Sequence, residues 1–410
     1  MTLRVDQLPL SGWHEPVAVM LARHVGPAGS RRTRASAAAL WFVLRRFLLF
    51  LDGLPRPPLT PETLTVEHLE AFLRHRAGTR RDQHAVSELR EVGRMLRTEP
   101  LAAQLAGEIG DYLSRRRSSV SAPLPGYSDA ELHRLVSAAR SDVVAIRRRV
   151  ATGWALVERY GRGVDTLPHR DRDHARDLAE IAGTGVVPSP STVPAGHRSA
   201  LSARRAQAEQ LYLTPRDVLP LLVLLAAVTG RNGESLKELP AQHRLLEDKA
   251  VEVRLTKRRG GPGDWGETVT WEIGRPDRQL HTPGGLYLLL LEWTAASRRL
   301  SGTSSAWSIW SNGYSRGTHG TGEHYDPFAT TLAHGFYADR WAAGHGLLTD
   351  DGLPLPVSFN RIRTSIEVRR TKQMGGHLPS AARAHTVPVL FANYLRNDPT
   401  TIGCSPRRPR

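Results

Sequence analysis

Apolar positions recur at helical spacing through the first third of the chain. In "ALWFVLRRFLLFL", Leu40, Leu44, Phe47, Leu48 and Leu51 fall on one face of a helix. Gly53 and the prolines at 55, 57 and 58 stop it. "TVEHLEAFLRHR" predicts a second helix with Leu69, Phe72 and Leu73 inward, and "VSELREVGRMLR" a third. These make a small helical bundle with Arg-rich outer faces. The Ser/Pro-rich run "SSVSAPLPGY" at 118–127 breaks the pattern. It divides the chain into an N-terminal helical domain, 1–123, and a larger domain, 124–410.

The second domain opens with "SDAE", where Ser128 can cap a helix while Glu131 reaches back to it. That helix runs to about Tyr160. Residues 183–199, "GTGVVPSPSTVPAGHRS", read as a flexible loop. Thr214 and Pro215 start another helix, whose apolar run from Leu219 to Val228 is buried and ends at Gly230. "VEVRLT" (251–256) and "TVTWEI" (268–273) alternate as strands do, with "KRRGGPGDWGE" as the long basic loop of a hairpin. "TPGGLYLLLLEW" begins a further buried helix. "SFNRIRTSIEVRRTKQ" is a basic helix with Phe359, Ile362 and Ile366 on one side. No repeat period is present. The fold class is therefore mainly α with a small β-hairpin or sheet.

Composition adds a partner. The chain has 410 residues, 40% of them hydrophobic, enough for two or three packed domains. Lys and Arg outnumber Asp and Glu by 56 to 40, a net charge of +16. A field of that sign attracts polyanions. An arginine-biased genome would raise Arg everywhere, but here the excess is clustered at 31–34, 115–117, 147–149 and 257–259. Nucleic acid is the leading partner, ahead of acidic lipid. A single cysteine, Cys404, excludes an internal disulfide and fits a reducing interior. The N-terminus lacks the apolar core of a signal peptide, and "LPLLVLLAAV" is too short to span a bilayer. A cytoplasmic protein that meets no membrane is expected.

Several chemistries lack their motifs. There is no CxxC, HExxH, Walker loop or GxSxG elbow. "GTHGTGEH" at 317–324 has no supporting carboxylate pattern and reads as a loop, so neither a metal nor a cofactor is expected. What remains is an ordered set. Arg231 follows the buried helix that ends in "AAVTG". Lys257 sits on the hairpin loop. Asn360 and Arg363 stand three apart on the basic helix, and His385 and Tyr394 stand nine apart in "AHTVPVLFANYL".

This order resembles the catalytic domain of the tyrosine recombinase, or phage integrase, family. "TGRNGESL" matches its first arginine box with Thr229, Gly230, Arg231 and Glu234. "FNRIRTS" matches the second with Asn360 and Arg363, and "AHTVPVLFANYL" supplies His385 and Tyr394. The resemblance covers about 124–396 and, more faintly, the helical bundle at about 30–117, which looks like that family's core-binding domain. It implies a protein that cuts and rejoins double-stranded DNA through a 3′-phosphotyrosine. Tyr394 would be the nucleophile, Arg231 and Arg363 the phosphate clamp and Lys257 the general acid, while His385 would hydrogen-bond the phosphate or help deprotonate Tyr394. The nearby Arg258, Arg259, Arg361, Arg369, Arg370 and Lys372 would bind DNA.

The sequence departs from the family at three places. Arg231 follows Gly230 directly, where one residue usually intervenes. Asn360 stands where His or Lys is common, and Asn can hydrogen-bond phosphate but cannot transfer a proton. The Pro/Arg stretch at 401–410 reads as a disordered basic tail, in place of the helix with which family members dock on neighbours in a homo-tetramer on DNA. Two readings stand for Tyr394. It ends an apolar stripe with Val387, Leu390 and Phe391, as a core tyrosine does, and it holds the register of a nucleophile. A DNA-binding scaffold with a decayed site is the alternative function.

Overall fold

The computed structural model describes residues 2–26, 29–31, 34–79, 82–114, 125–193, 196, 199–256, 266–312, 322–329, 332 and 335–374. The chain divides into two compact units, Met1–Ala122 and Pro123–Arg410. It is mainly helical, with one three-stranded and one two-stranded antiparallel sheet.

The first unit is all helix: α1 (His14–Val25), α2 (Arg34–Asp52), α3 (Val66–Thr79), α4 (Asp82–Leu96), α5 (Leu101–Gln104) and α6 (Gly107–Ser114). The five apolar positions singled out on α2 are all buried, as are Leu69 and Phe72 of α3, while Leu73 packs at the edge of the core. Phe47 meets Trp13 and Phe72 edge-on, with ring centres 6.4 and 5.2 Å apart. The outer arginines are partly absorbed by α4. Arg46 and Arg76 both pair with Glu88, and Arg31 and Arg94 with Glu91. α1 was not anticipated. Trp13, Val17, Met20, Leu21 and His24 nevertheless lie buried at helical spacing.

The second unit begins with α7 (Asp129–Arg162), started by the expected Ser128–Glu131 box. It continues through α8 (His169–Thr184), α9 (Ala200–Ala208), α10 (Pro215–Thr229) and α11 (Gly233–Lys237). Next come strands β1 (Arg244–Leu246), β2 (Ala250–Thr256) and β3 (Gly266–Glu272), then α12 (Pro283–Ser301). Strands β4 (Ile309–Trp310) and β5 (His324–Tyr325), α13 (Ala338–Gly344) and α14 (Phe359–Gln373) complete it.

α10 is the central post. Val218 to Ala226 are all buried, and α7, α11, α12 and α14 pack around it. Such a helix is apolar all round because it has no solvent face. The sheet runs β1-β2-β3, and Val251, Val253, Leu255, Val269 and Trp271 supply its buried side. Trp271 lies 5.7 Å from Tyr287 of α12, edge-on.

Two loop expectations are corrected in part. The segment after α8 is anchored at its start. Val187 is buried, its N–H donates to Glu323 at 3.0 Å, and its carbonyl accepts from Arg204 at 2.9 Å. In "GTHGTGEH", His324 is not in a loop but on β5. It lies buried between Ser297 Oγ (2.9 Å) and the Gly185 carbonyl (2.8 Å), and burial lowers its pKa. Strands β1, β4 and β5 and helices α8 and α9 went unread because two- and three-residue strands and polar helices carry little periodic signal. Among the described residues, no helix is long and apolar enough to cross a membrane.

Candidate active site

The turn between α10 and α11 is built by a stop, one residue and a start. Gly230 takes φ +66°, a left-handed conformation that suits glycine, and its N–H closes the last turn on Ala226. Thr229 Oγ1 donates to the Leu225 carbonyl at 2.6 Å and accepts from the Arg231 N–H at 3.2 Å. Asn232 then caps α11, its Oδ1 accepting from the Ser235 N–H at 2.7 Å. Arg231 is the single residue between stop and cap. Its Nη1 donates to Glu267 Oε1 on β3 at 2.7 Å.

The hairpin meets this turn at its loop end. Leu255 pairs with Glu267 and Thr256 with Gly266, the last pair before the loop. Ser235 Oγ donates to the Thr256 carbonyl at 3.2 Å. Lys257 follows Thr256 in the chain. Lys257, Arg258 and Arg259 lie outside the described residues, as do His385, Tyr394 and the 401–410 tail.

α14 closes the other side. A Cβ on Gly230 would meet Ile366 at 3.1 Å and Arg370 Nη2 at 3.6 Å, and one on Gly233 would meet the Phe359 ring at 3.1 Å. The face bearing Phe359, Ile366 and Arg370 therefore lies against the α10–α11 turn. Arg363 stands seven residues, close to two helical turns, before Arg370 and so shares that face. Arg363 and Arg370 are half-buried, and Arg370 Nη1 reaches the buried Glu367 at 3.3 Å.

The remaining basic residues of α14 point elsewhere. Arg361 stacks 4.0 Å over the Tyr127 ring, donates to the Pro125 and Gly126 carbonyls, and pairs with Glu131 at 3.2 Å. Arg369 pairs with Asp129 at 2.8 Å. These two fasten α14 to the start of α7, helped by Ser365 Oγ, which accepts from the Tyr127 N–H at 2.7 Å. Asn360 and Lys372 are exposed. The basic helix thus sorts into two faces that the sequence pattern does not separate.

Residues beside the site were missed in the sequence. Glu267 and Ser235 tie the turn to the hairpin. Lys237, on α11, is buried against the rings of Phe328 (5.6 Å) and Phe359 (5.9 Å) and donates to the Leu332 carbonyl at 2.5 Å. Burial lowers its pKa. The only sequence signal for Glu267 is its place on the inward side of β3 with Val269 and Trp271, an odd position for a carboxylate.

Compared with known proteins, the chain matches no family model and no curated protein. Among solved structures, the crystal structure of XerA recombinase aligns with 93% of this chain and 95% of that chain, at 15% identity and a TM-score of 0.31.

Proposed function

We propose that the chain is a DNA-binding strand transferase of tyrosine recombinase type. The observation that carries the reading is the convergence at one turn of three separately read segments. Arg231 is ion-paired to the hairpin that leads into Lys257, and its neighbours Gly230 and Gly233 lie against the α14 face that carries Arg363.

In this reading Arg231 and Arg363 neutralise the non-bridging oxygens of a scissile phosphate. The Tyr394 oxygen attacks phosphorus, forming a 3′-phosphotyrosine and breaking the bond to the 5′-oxygen. His385 takes the tyrosine proton, and Lys257 gives one to the departing 5′-oxygen. No water, metal or cofactor takes part, and reversal of the same steps rejoins the strand. Arg258, Arg259 and Lys372 add phosphate contacts. The experiment is a covalent trap. A duplex selected from a random pool by the full-length chain is nicked so that the cleaved end diffuses away, and adduct is scored on a denaturing gel. Wild type is expected to form adduct that Tyr394→Phe does not. Equal signals from both would refute the catalytic reading.

A second reading keeps the DNA scaffold without the chemistry. It is favoured by Asn360, exposed on α14 and unable to move a proton, and by the occupation of Arg231 by a carboxylate. It expects duplex binding without adduct, unchanged by Arg363→Ala combined with Tyr394→Phe.

A further inference from the structure

The α10–α11 turn holds the hairpin by both strands. Arg231 grips β3 at Glu267, and Ser235 grips β2 at the Thr256 carbonyl. Leu255 is the cross-strand partner of Glu267, so both ties lie within one residue pair of the point where the basic loop leaves the sheet. The ties differ in kind. The Ser235 bond is neutral and uses a backbone acceptor. The Arg231 bond is charge-assisted, and its acceptor is an anion placed on the guanidinium assigned to a DNA phosphate. Side-chain exposures of 23% for Arg231 and 28% for Glu267 leave the pair reachable from solvent yet incompletely hydrated.

We propose that Glu267 is the resident partner of Arg231 that a DNA phosphate displaces. The inference rests on the reading of Arg231 as a phosphate contact. Carboxylate and phosphate fit the same planar donor fork, so one can follow the other on a single guanidinium. Two anions at that distance repel, and the arrival of phosphate weakens the Glu267 bond. The carboxylate keeps Arg231 ordered and its charge balanced while DNA is absent, and it subtracts from the affinity that Arg231 alone would give. Ser235 holds Thr256 throughout, so the hairpin keeps its place when Glu267 lets go. Glu267 is a positioning and specificity residue in this scheme, not a catalytic one: random duplex is held more weakly, and only a well-seated phosphate takes the arginine.

The test compares full-length wild type, Arg231→Ala, Glu267→Gln and the double variant, titrated against a labelled duplex of random sequence at fixed low salt. Glu267→Gln is expected to bind about three- to tenfold tighter, and the gain is expected to vanish when Arg231 is alanine. An equal gain in both backgrounds would mean that any lost negative charge helps, and would overturn the proposal. So would an unchanged or weakened Glu267→Gln. If Arg231→Ala binds as wild type does, Arg231 is no phosphate contact, and that reading fails together with the inference. If Arg231→Ala binds weakly while Glu267→Gln is silent, the reading survives and the inference alone fails. Thermal unfolding of each variant checks the fold. Should the amide lower the midpoint, Glu267→Asp carries the same comparison, its shorter carboxylate holding the guanidinium less closely.

Discussion

A single arginine on α14 can serve either scaffold or site, and its partners decide which. Arg361 has an aromatic face, two carbonyls and a buried carboxylate. Its removal leaves Glu131 buried without that cation, so Arg361→Ala is expected to cost about 1–3 kcal/mol in urea unfolding. Duplex affinity at a salt where the variant stays folded should hardly move. Arg363→Ala, on the face that meets the α10–α11 turn, is expected to weaken duplex binding about tenfold or more. Equal duplex affinities in the two variants would contradict this division. Asp326 is a second case. Burial pushes its carboxyl up to about 6 from an ordinary 3.8, against a hydrogen bond from the Phe328 N–H at 2.8 Å. The native chain therefore binds more protons than the unfolded chain between those values. Stability contributed by this group is full below about pH 4, falls as pH rises through 6, and stays low above. Asp326→Asn keeps the acceptor and removes the titration. It is expected to gain on the order of 1–3 kcal/mol over wild type at pH 7 and nothing at pH 4, read from urea melts across that range.

At the scale of elements, the sequence disclosed whatever had a long period or a definite stop. α2, α3, α7, α10, α12 and α14 and the β2–β3 pair were legible because each repeats apolar positions over many residues or carries a cap. The two-residue β4 and β5 were not, since their residues are fixed by Trp310, Glu323 and Arg204 meeting across the chain. The same holds for the site. Arg231 could be named from its box, but Glu267 stands 36 positions away, and only the pairing of β2 with β3 brings it there. Gly230 shows how tightly these elements fit. Its left-handed turn and the approach of Ile366 leave no comfortable place for a methyl group. Gly230→Ala is expected to cost about 1–2 kcal/mol and to shift α14 away from the turn. Loss of duplex affinity beyond that of a stability-matched core variant would report the shift. Unchanged stability would show that the turn adapts.

At the scale of the molecule, each unit has its own interior. One core is drawn entirely from residues between Leu3 and Leu113, and the others from residues between Tyr127 and Ile366. Separate cores predict separate folding. Fragments 1–114 and 125–410 are each expected to unfold cooperatively when heated, followed by circular dichroism. A fragment that melts without a transition would show that its core needs the other. The net charge of +16 is already reckoned after every carboxylate, but the pairing of Arg31, Arg46, Arg76, Arg361 and Arg369 with carboxylates takes these arginines out of the set that can turn to a phosphate. Counting arginines therefore overstates the surface available to DNA.

The double tie on the hairpin sets a tether length. Thr256 is anchored through its carbonyl to Ser235, and the Cα of the next residue stands about 3.8 Å further along the chain whatever the loop does. Lys257 is one peptide link from that tie, and Arg258 and Arg259 are two and three links from it. An acid that must meet a single oxygen belongs on the shortest tether, and contacts that accept any phosphate on the longer ones.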